Sequence, residues 1–129
     1  FRNDMVKMAD EIKFMKDEWE RLQPTRCEVC GKSLLYFSPM YCSHIYAKGA
    51  SPLMKHYSYN LMFNCFRCHK QWDTTSRTGI LKLDGGAQNW SWVMHRLMRL
   101  KHLEATIMRD LSLYLRFKSS LKNKRQRVA

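Results

Sequence analysis

Apolar side chains near the amino end fall at Met5, Met8, Ile12, Met15, Trp19 and Leu22, in alternating steps of three and four, with charged residues filling many of the positions between. That spacing lines one face of a helix, so it predicts an amphipathic helix over residues 1–22. Asn3 or Asp4 is placed to cap it, and Pro24 requires it to have ended. The stripe is heptad-like, but it has too few turns for a good coiled coil and suits packing on its own domain better. From residue 25 to about 64 the helical period stops, and Gly31, Pro39, Gly49 and Pro52 punctuate short runs of Tyr, Phe, Leu and Ile. Such punctuation predicts strands at 34–37 and 41–46, an irregular loop over 48–59 and a short returning strand at 60–63. Residues 65–73 suit a helix start. Residues 74–88 read as a Gly-containing connector with a short strand at 80–83. Beyond it, Trp90, Val93, Met94, Leu97, Met98, Leu100, Ile107, Met108, Leu111 and Leu115 recur mostly at helical intervals, predicting one long helix or two with a Met- and Trp-rich inner face.

The 129 residues suit one domain, read as an amino-terminal helix over 1–24, a central unit over 25–78 and a basic helical extension over 79–129. A 45% hydrophobic and 12% aromatic content argues against disorder. No apolar run reaches the roughly 18–20 residues of a membrane span, so a soluble chain is expected. No signal-peptide pattern opens the sequence, which points to the cytoplasm, while a first residue of Phe1 rather than Met points to a trimmed or partial chain. Charge narrows the partner. Lys and Arg number 23 against 11 Asp and Glu, a formal +12 with a pI near 9.8, and this is the footprint of a protein that meets a polyanion, nucleic acid first. Residues 89–129 hold ten Lys or Arg against two Asp or Glu, a net +8, which marks a candidate phosphate-binding face.

Four of the five cysteines form two pairs of equal spacing, Cys27-x-x-Cys30 and Cys65-x-x-Cys68, separated by 34 residues. Each pair supplies two thiolates from one turn, and a long insert brings the second turn round to the first, the pattern of a four-thiolate tetrahedral zinc site. Gly31 is placed to allow the tight backbone of a zinc knuckle. Cys42 is left over, and an odd count without an export signal favours a reducing compartment. In a region so short of regular structure, metal binding would stabilise the fold directly. Iron on the same four sulfurs, in an electron carrier, is the competing occupant.

Inside and just after the insert the polar residues run Ser43-His44-Ile45, then Asn60-Leu61-Met62-Phe63-Asn64, then Cys65-Phe66-Arg67-Cys68-His69, with Asp73 four positions on. This order resembles the zinc-bearing HNH endonucleases, in which a His near the end of a strand precedes an N-L-x-x-x-C-x-x-C-H/N run; residues 60–69 match that run step for step. The resemblance covers residues 27 to about 73 and lies nearer the NinG-like branch of phage recombination proteins than the colicins or homing enzymes. It implies an α+β chain: a small ββα-metal, treble-clef-like core around the four-cysteine zinc, flanked by the amino-terminal helix and long carboxy-terminal helices. It further implies that His44 is the general base activating water, that Asn60 fixes the loop bearing it, and that His69, with Asp73 on the same helical face, holds a catalytic Mg²⁺ or Mn²⁺. Ser43 departs from the family, where Asp or a second His usually precedes the base as a metal ligand.

Lys48, Lys55, Arg67, Lys70 and Arg77 cluster in sequence around these positions and could track phosphates, positioning DNA, duplex or branched, without reading bases. No membrane partner is expected, and the helices offer surfaces for a homodimer without requiring one. A chain phage-encoded in this way would act in the host cytoplasm. A non-catalytic zinc module that binds nucleic acid and keeps a degenerate HNH motif is the alternative, with Ser43 in its favour. His56, His95 and His102 have no supporting constellation and read as surface or packing residues.

Overall fold

A computed structural model describes residues 2–47, 49–75, 82–121 and 125, with side chains from Met5 onward. Among the described residues the chain is α+β, with four α-helices and one two-stranded sheet. Helix α1 spans Arg2–Leu22. It ends where Gln23 turns into the left-handed region at φ 50° ahead of Pro24, with its N–H still bonded to the Trp19 carbonyl at 2.8 Å. Positions 3 and 4 lie inside the helix rather than ahead of it. Only the second half of the helix reaches the core. Phe14, Met15, Trp19 and Leu22 pack, whereas Met5, Met8 and Ile12 of the expected stripe are exposed. Trp19 sets its ring 5.6–6.4 Å from those of Phe37, Tyr41 and Phe63.

Strand β1, Cys42–His44, pairs antiparallel with β2, Leu61–Phe63, in the register Cys42 with Phe63, Ser43 with Met62 and His44 with Leu61. Helix α2, Phe66–Thr74, follows directly and packs against β1. A β–β–α order is thus present within the expected central unit, but its strands are shorter than the sequence suggests. Residues 34–37 form no strand: Leu34 and Phe37 turn inward while Leu35 and Tyr36 face solvent, so the alternation a sheet needs is missing. The loop between β1 and β2 is irregular apart from single 3₁₀ turns at Pro52–Met54 and Ser58–Asn60. Of the strand expected at 80–83, residues 80 and 81 lie outside the described residues, and Lys82 and Leu83 are not extended.

The carboxy-terminal periodicity resolves into two helices. Helix α3, Gly86–Met108, buries Trp90, Val93, Leu97, Leu100 and Ile107. The chain then breaks because Asp110 caps α4, Leu111–Ser120, by accepting the Ser112 N–H at 2.8 Å. Methionine is less internal than its pattern implies: Met98 and Met108, with Leu111 and Leu115, are exposed. Trp90 is fully buried, stacked on Trp72 of α2 at 5.9 Å with its indole N–H on the Asp84 carbonyl, so α2 and α3 share one core. No helix is long and apolar enough to cross a membrane among the described residues.

Candidate metal centre and histidine groove

The four paired cysteines meet. The Sγ atoms of Cys27, Cys30, Cys65 and Cys68 lie within 4.8 Å of one another, with Cys30 and Cys65 at 3.6 Å. A metal at about 2.3 Å from each of four tetrahedral sulfurs sets them about 3.8 Å apart, so the cluster needs only slight contraction to fit one. The first pair sits on a knuckle: Gly31 at φ 82° lets its N–H reach the Cys27 carbonyl at 3.0 Å, and the Val29 and Cys30 N–H groups point at Cys27 Sγ at 3.4 Å. The second pair opens α2. Burial raises the Cys30 and Cys68 thiols; it acts the same way on Cys65, but hydrogen bonds from the Cys68 N–H and the neighbouring sulfurs bring that thiol below its ordinary value. Cys42 stands apart, buried, its thiol pushed up to about 12 by desolvation and by Glu28.

Strand pairing then brings the polar motif to one place. His44 ends β1, and its Nε2 lies 2.7 Å from the Lys55 carbonyl. A carbonyl only accepts, so the neutral ring carries its proton on Nε2 and its lone pair on Nδ1. The His44 carbonyl receives the Trp72 indole N–H at 3.2 Å, tying the strand end to α2. Asn60 is wholly buried behind it. Its Oδ1 accepts the Tyr46 N–H at 2.6 Å, and its Nδ2 donates to the Tyr46 and Met54 carbonyls at 2.9 and 3.1 Å. The Asn60 carbonyl also accepts the Ile45 N–H, so one residue prolongs the β1–β2 pairing by side chain and backbone together. Glu104 of α3 holds the same loop, accepting from the hydroxyls of Tyr46 and Ser51.

His69 and Asp73, one turn apart on α2, are joined, Nε2 to Oδ2 at 3.0 Å. On the other side of the ring, Nδ1 lies 2.8 Å from Ser43 Oγ, which in turn is 3.1–3.2 Å from both side-chain atoms of the buried Asn64. Because Ser43 can donate or accept, and Asn64 offers it both an acceptor and a donor, the chain Asn64–Ser43–His69 can run in either direction. With the proton on Nε2 it runs from Asn64 towards Asp73; with the proton on Nδ1 it runs back to Asn64 and leaves Nε2 a lone pair. Ser43 is thus the link between His69 and the buried Asn64.

His44 and Asp73 line a single groove of about 230 Å³, together with Tyr46, Ala47 and Trp72. His69 reaches it through Asp73, while Asn60 supports its wall from inside. Of the basic residues expected nearby, Lys70 is exposed on α2, Lys55 is half-buried beside its carbonyl contact with His44, and Arg67 is ion-paired with Asp84, which reduces its availability to a phosphate. Lys48 and Arg77 lie outside the described residues. His56 stacks on Phe14 at 5.0 Å, and His95 and His102 are exposed. The residue sequence reasoning passes over is Asn64: with Ser43 opposite Met62, a residue two positions on is its diagonal neighbour on the same face, a relation visible only once the register is known. Comparison with family models, with curated proteins and with solved structures finds no match.

Proposed function

We propose that this chain is a zinc-stapled HNH-type endonuclease domain that hydrolyses phosphodiester bonds in DNA. The observation that carries the reading is the shared groove. His44 at the end of β1 and Asp73 of α2, whose carboxylate is bonded to His69, line the same groove, in the chain order of the motif. His44 Nδ1 would take a proton from water as the water oxygen bonds to phosphorus and the bond to the departing sugar oxygen breaks. The Lys55 carbonyl holds the tautomer and steadies the imidazolium that forms; Asn60 and Trp72 keep the ring's backbone in place. His69 Nε2 and Asp73 Oδ2 stand 3.0 Å apart, the separation of adjacent ligands about 2.1 Å from an octahedral ion, so they suit Mg²⁺ or Mn²⁺. Such a cation supplies counter-charge for the scissile phosphate and the leaving oxygen. The basic surface and the polar residues between the two pairs favour zinc over iron at the four sulfurs; a colourless purified protein with one zinc per chain is expected, and a visible absorption band would reassign the site.

Nicking of supercoiled plasmid in Mg²⁺ or Mn²⁺ tests the activity, and undiminished cleavage by His44→Ala would remove His44 as base. One observation favours a second reading, a non-catalytic zinc module for nucleic acid: both ring nitrogens of His69 already have partners in Ser43 and Asp73. That reading expects tight, salt-sensitive binding with no divalent-dependent cleavage at any pH.

A further inference from the structure

A second cavity, of about 480 Å³, opens beside the turn that follows α1 and shares no lining residue with the histidine groove. Three arginines line it, Arg26, Arg96 and Arg125, against one carboxylate, Glu28. Glu28 is largely engaged. Its Oε2 accepts the Phe63 N–H at 2.6 Å, and its Oε1 is 3.7 Å from Arg125 Nη1. The cavity wall therefore carries an excess of two positive charges. The Arg96 guanidinium lies over the Trp92 ring at 4.9 Å and that of Arg125 over Phe63 at 5.3 Å, cation–π contacts that hold both cations in place. The Arg125 backbone is anchored as well, its carbonyl accepting from Arg21, which is held by the buried Glu18 and by Ser58. Yet Arg96 Nη1 and Arg125 Nε are buried with no hydrogen-bond partner among the described residues. Burial lowers the Arg96 guanidinium's pKa, as expected where desolvation is not met by enough counter-charge.

Three guanidiniums against one engaged carboxylate leave positive charge on the cavity wall that the lining does not neutralise, and the fork geometry of arginine matches the paired oxygens of a phosphate. We infer that this cavity is a phosphate-binding site, and that it holds a backbone phosphate of the nucleic acid bound by the chain. The inference rests on the nucleic-acid half of the reading above and not on catalysis by His44. A strand engaged at both places would be gripped by arginines carried on α3 and the carboxy-terminal segment while its scissile bond lay at α2. The cavity has room for a phosphate with its adjoining sugar, which a free inorganic ion would leave mostly unfilled.

The test uses the full zinc-loaded chain carrying His44→Ala, so that binding is read without cleavage. Fluorescence anisotropy with a labelled DNA oligonucleotide across a salt series gives affinity and its slope. Arg96→Gln and Arg125→Gln are each expected to bind about tenfold more weakly and to lower the salt slope by about one, as loss of one phosphate contact requires. Arg116→Gln, an exposed cation on α4, should change affinity less than about twofold, since a diffuse surface charge makes no fixed contact. Inorganic phosphate should raise the melting temperature of the parent and not of the two variants. If phosphate does so while oligonucleotide affinity is unchanged by either substitution, the site takes a free phosphate and the backbone assignment is overturned. Parent-like affinity and slope in variants shown folded by zinc content and circular dichroism, with phosphate shifting the melting temperature of neither the parent nor the variants, overturn the site altogether. Should Arg96→Gln fail to fold, Arg96→Lys, which keeps the charge and loses the fork, is expected to weaken binding and is judged by the same criteria. Failure of the nuclease reading would show separately, as no divalent-dependent plasmid nicking by the chain with His44 intact while these binding results stand.

Discussion

Replacing Asn60 with Ala removes three buried hydrogen bonds at once, to the Tyr46 N–H, the Tyr46 carbonyl and the Met54 carbonyl. Each is worth about 1 kcal/mol net, and the orphaned Tyr46 N–H, sealed behind the β1–β2 pairing, adds to the loss, so the expected cost is about 3–4 kcal/mol. Against a total stability of about 5–15 kcal/mol for a domain of this kind, that is a large share. At roughly 4 °C per kcal/mol it corresponds to a melting temperature about 12–16 °C lower. Thermal unfolding in excess zinc measures it, and amide exchange at Tyr46 should accelerate in the same variant. Asn60→Asp is a second probe: it keeps the acceptor for the Tyr46 N–H but sets a carboxylate oxygen against two carbonyls, so it should be no better than Ala. A change of less than about 2 °C in Asn60→Ala would refute the claim that this side chain clamps the loop behind His44.

Ser43→Ala breaks the link between Asn64 and His69 without touching the cysteines; zinc content should be unchanged, while cation affinity measured by calorimetry with Mn²⁺ falls about 10–100-fold, and unaltered affinity would return Ser43 to a packing role. Chelation at neutral pH should unfold the central unit with a loss of near-ultraviolet circular dichroism, and Cys68→Ser should abolish stoichiometric zinc; a chelated chain that kept its native spectrum would mean the sulfurs are not structural. The Cys42 thiol, buried and pushed up to about 12, should resist a thiol-reactive dye in the native zinc-loaded protein and react only after unfolding, and ready labelling would contradict its burial. Burial, helped by Lys55 and opposed by Glu11 and Asp10, lowers His56 below its ordinary 6.5, so the unfolded chain binds the proton first as pH falls. The stability held by neutral His56 is complete above pH 6.5 and is lost as the pH drops below it. The stability difference between pH 7.5 and 6.0 should therefore shrink in His56→Phe, and an equal slope in both proteins would dismiss the effect.

Much of the fold was legible because it depends on short-range rules. Pro24 and the three- and four-residue steps mark α1, and the same period marks α3 and α4, although the break at Asp110 is a capping event inside a run that reads as continuous. The strands were overestimated at 34–37 because apolar and aromatic composition does not supply a partner edge. Exposure of Met5, Met8, Met98 and Met108 was hidden for a related reason: a periodic stripe says which residues share a face, not how much of that face another element covers.

By itself the sequence pointed to the meeting of the four paired cysteines, since two CxxC turns of equal spacing can share one metal only by converging, and it determined the order in which His44, Asn60, His69 and Asp73 appear along the chain. Only the tertiary structure decided what those side chains touch: the Lys55 carbonyl that sets the His44 tautomer, the Asn64–Ser43 pair behind His69, and the two arginines brought together at the second cavity from α3 and the carboxy-terminal segment. The division has one physical cause. Ligand spacing and helical period are local properties of a chain, whereas hydrogen-bond direction, burial and charge excess belong to places where distant segments converge.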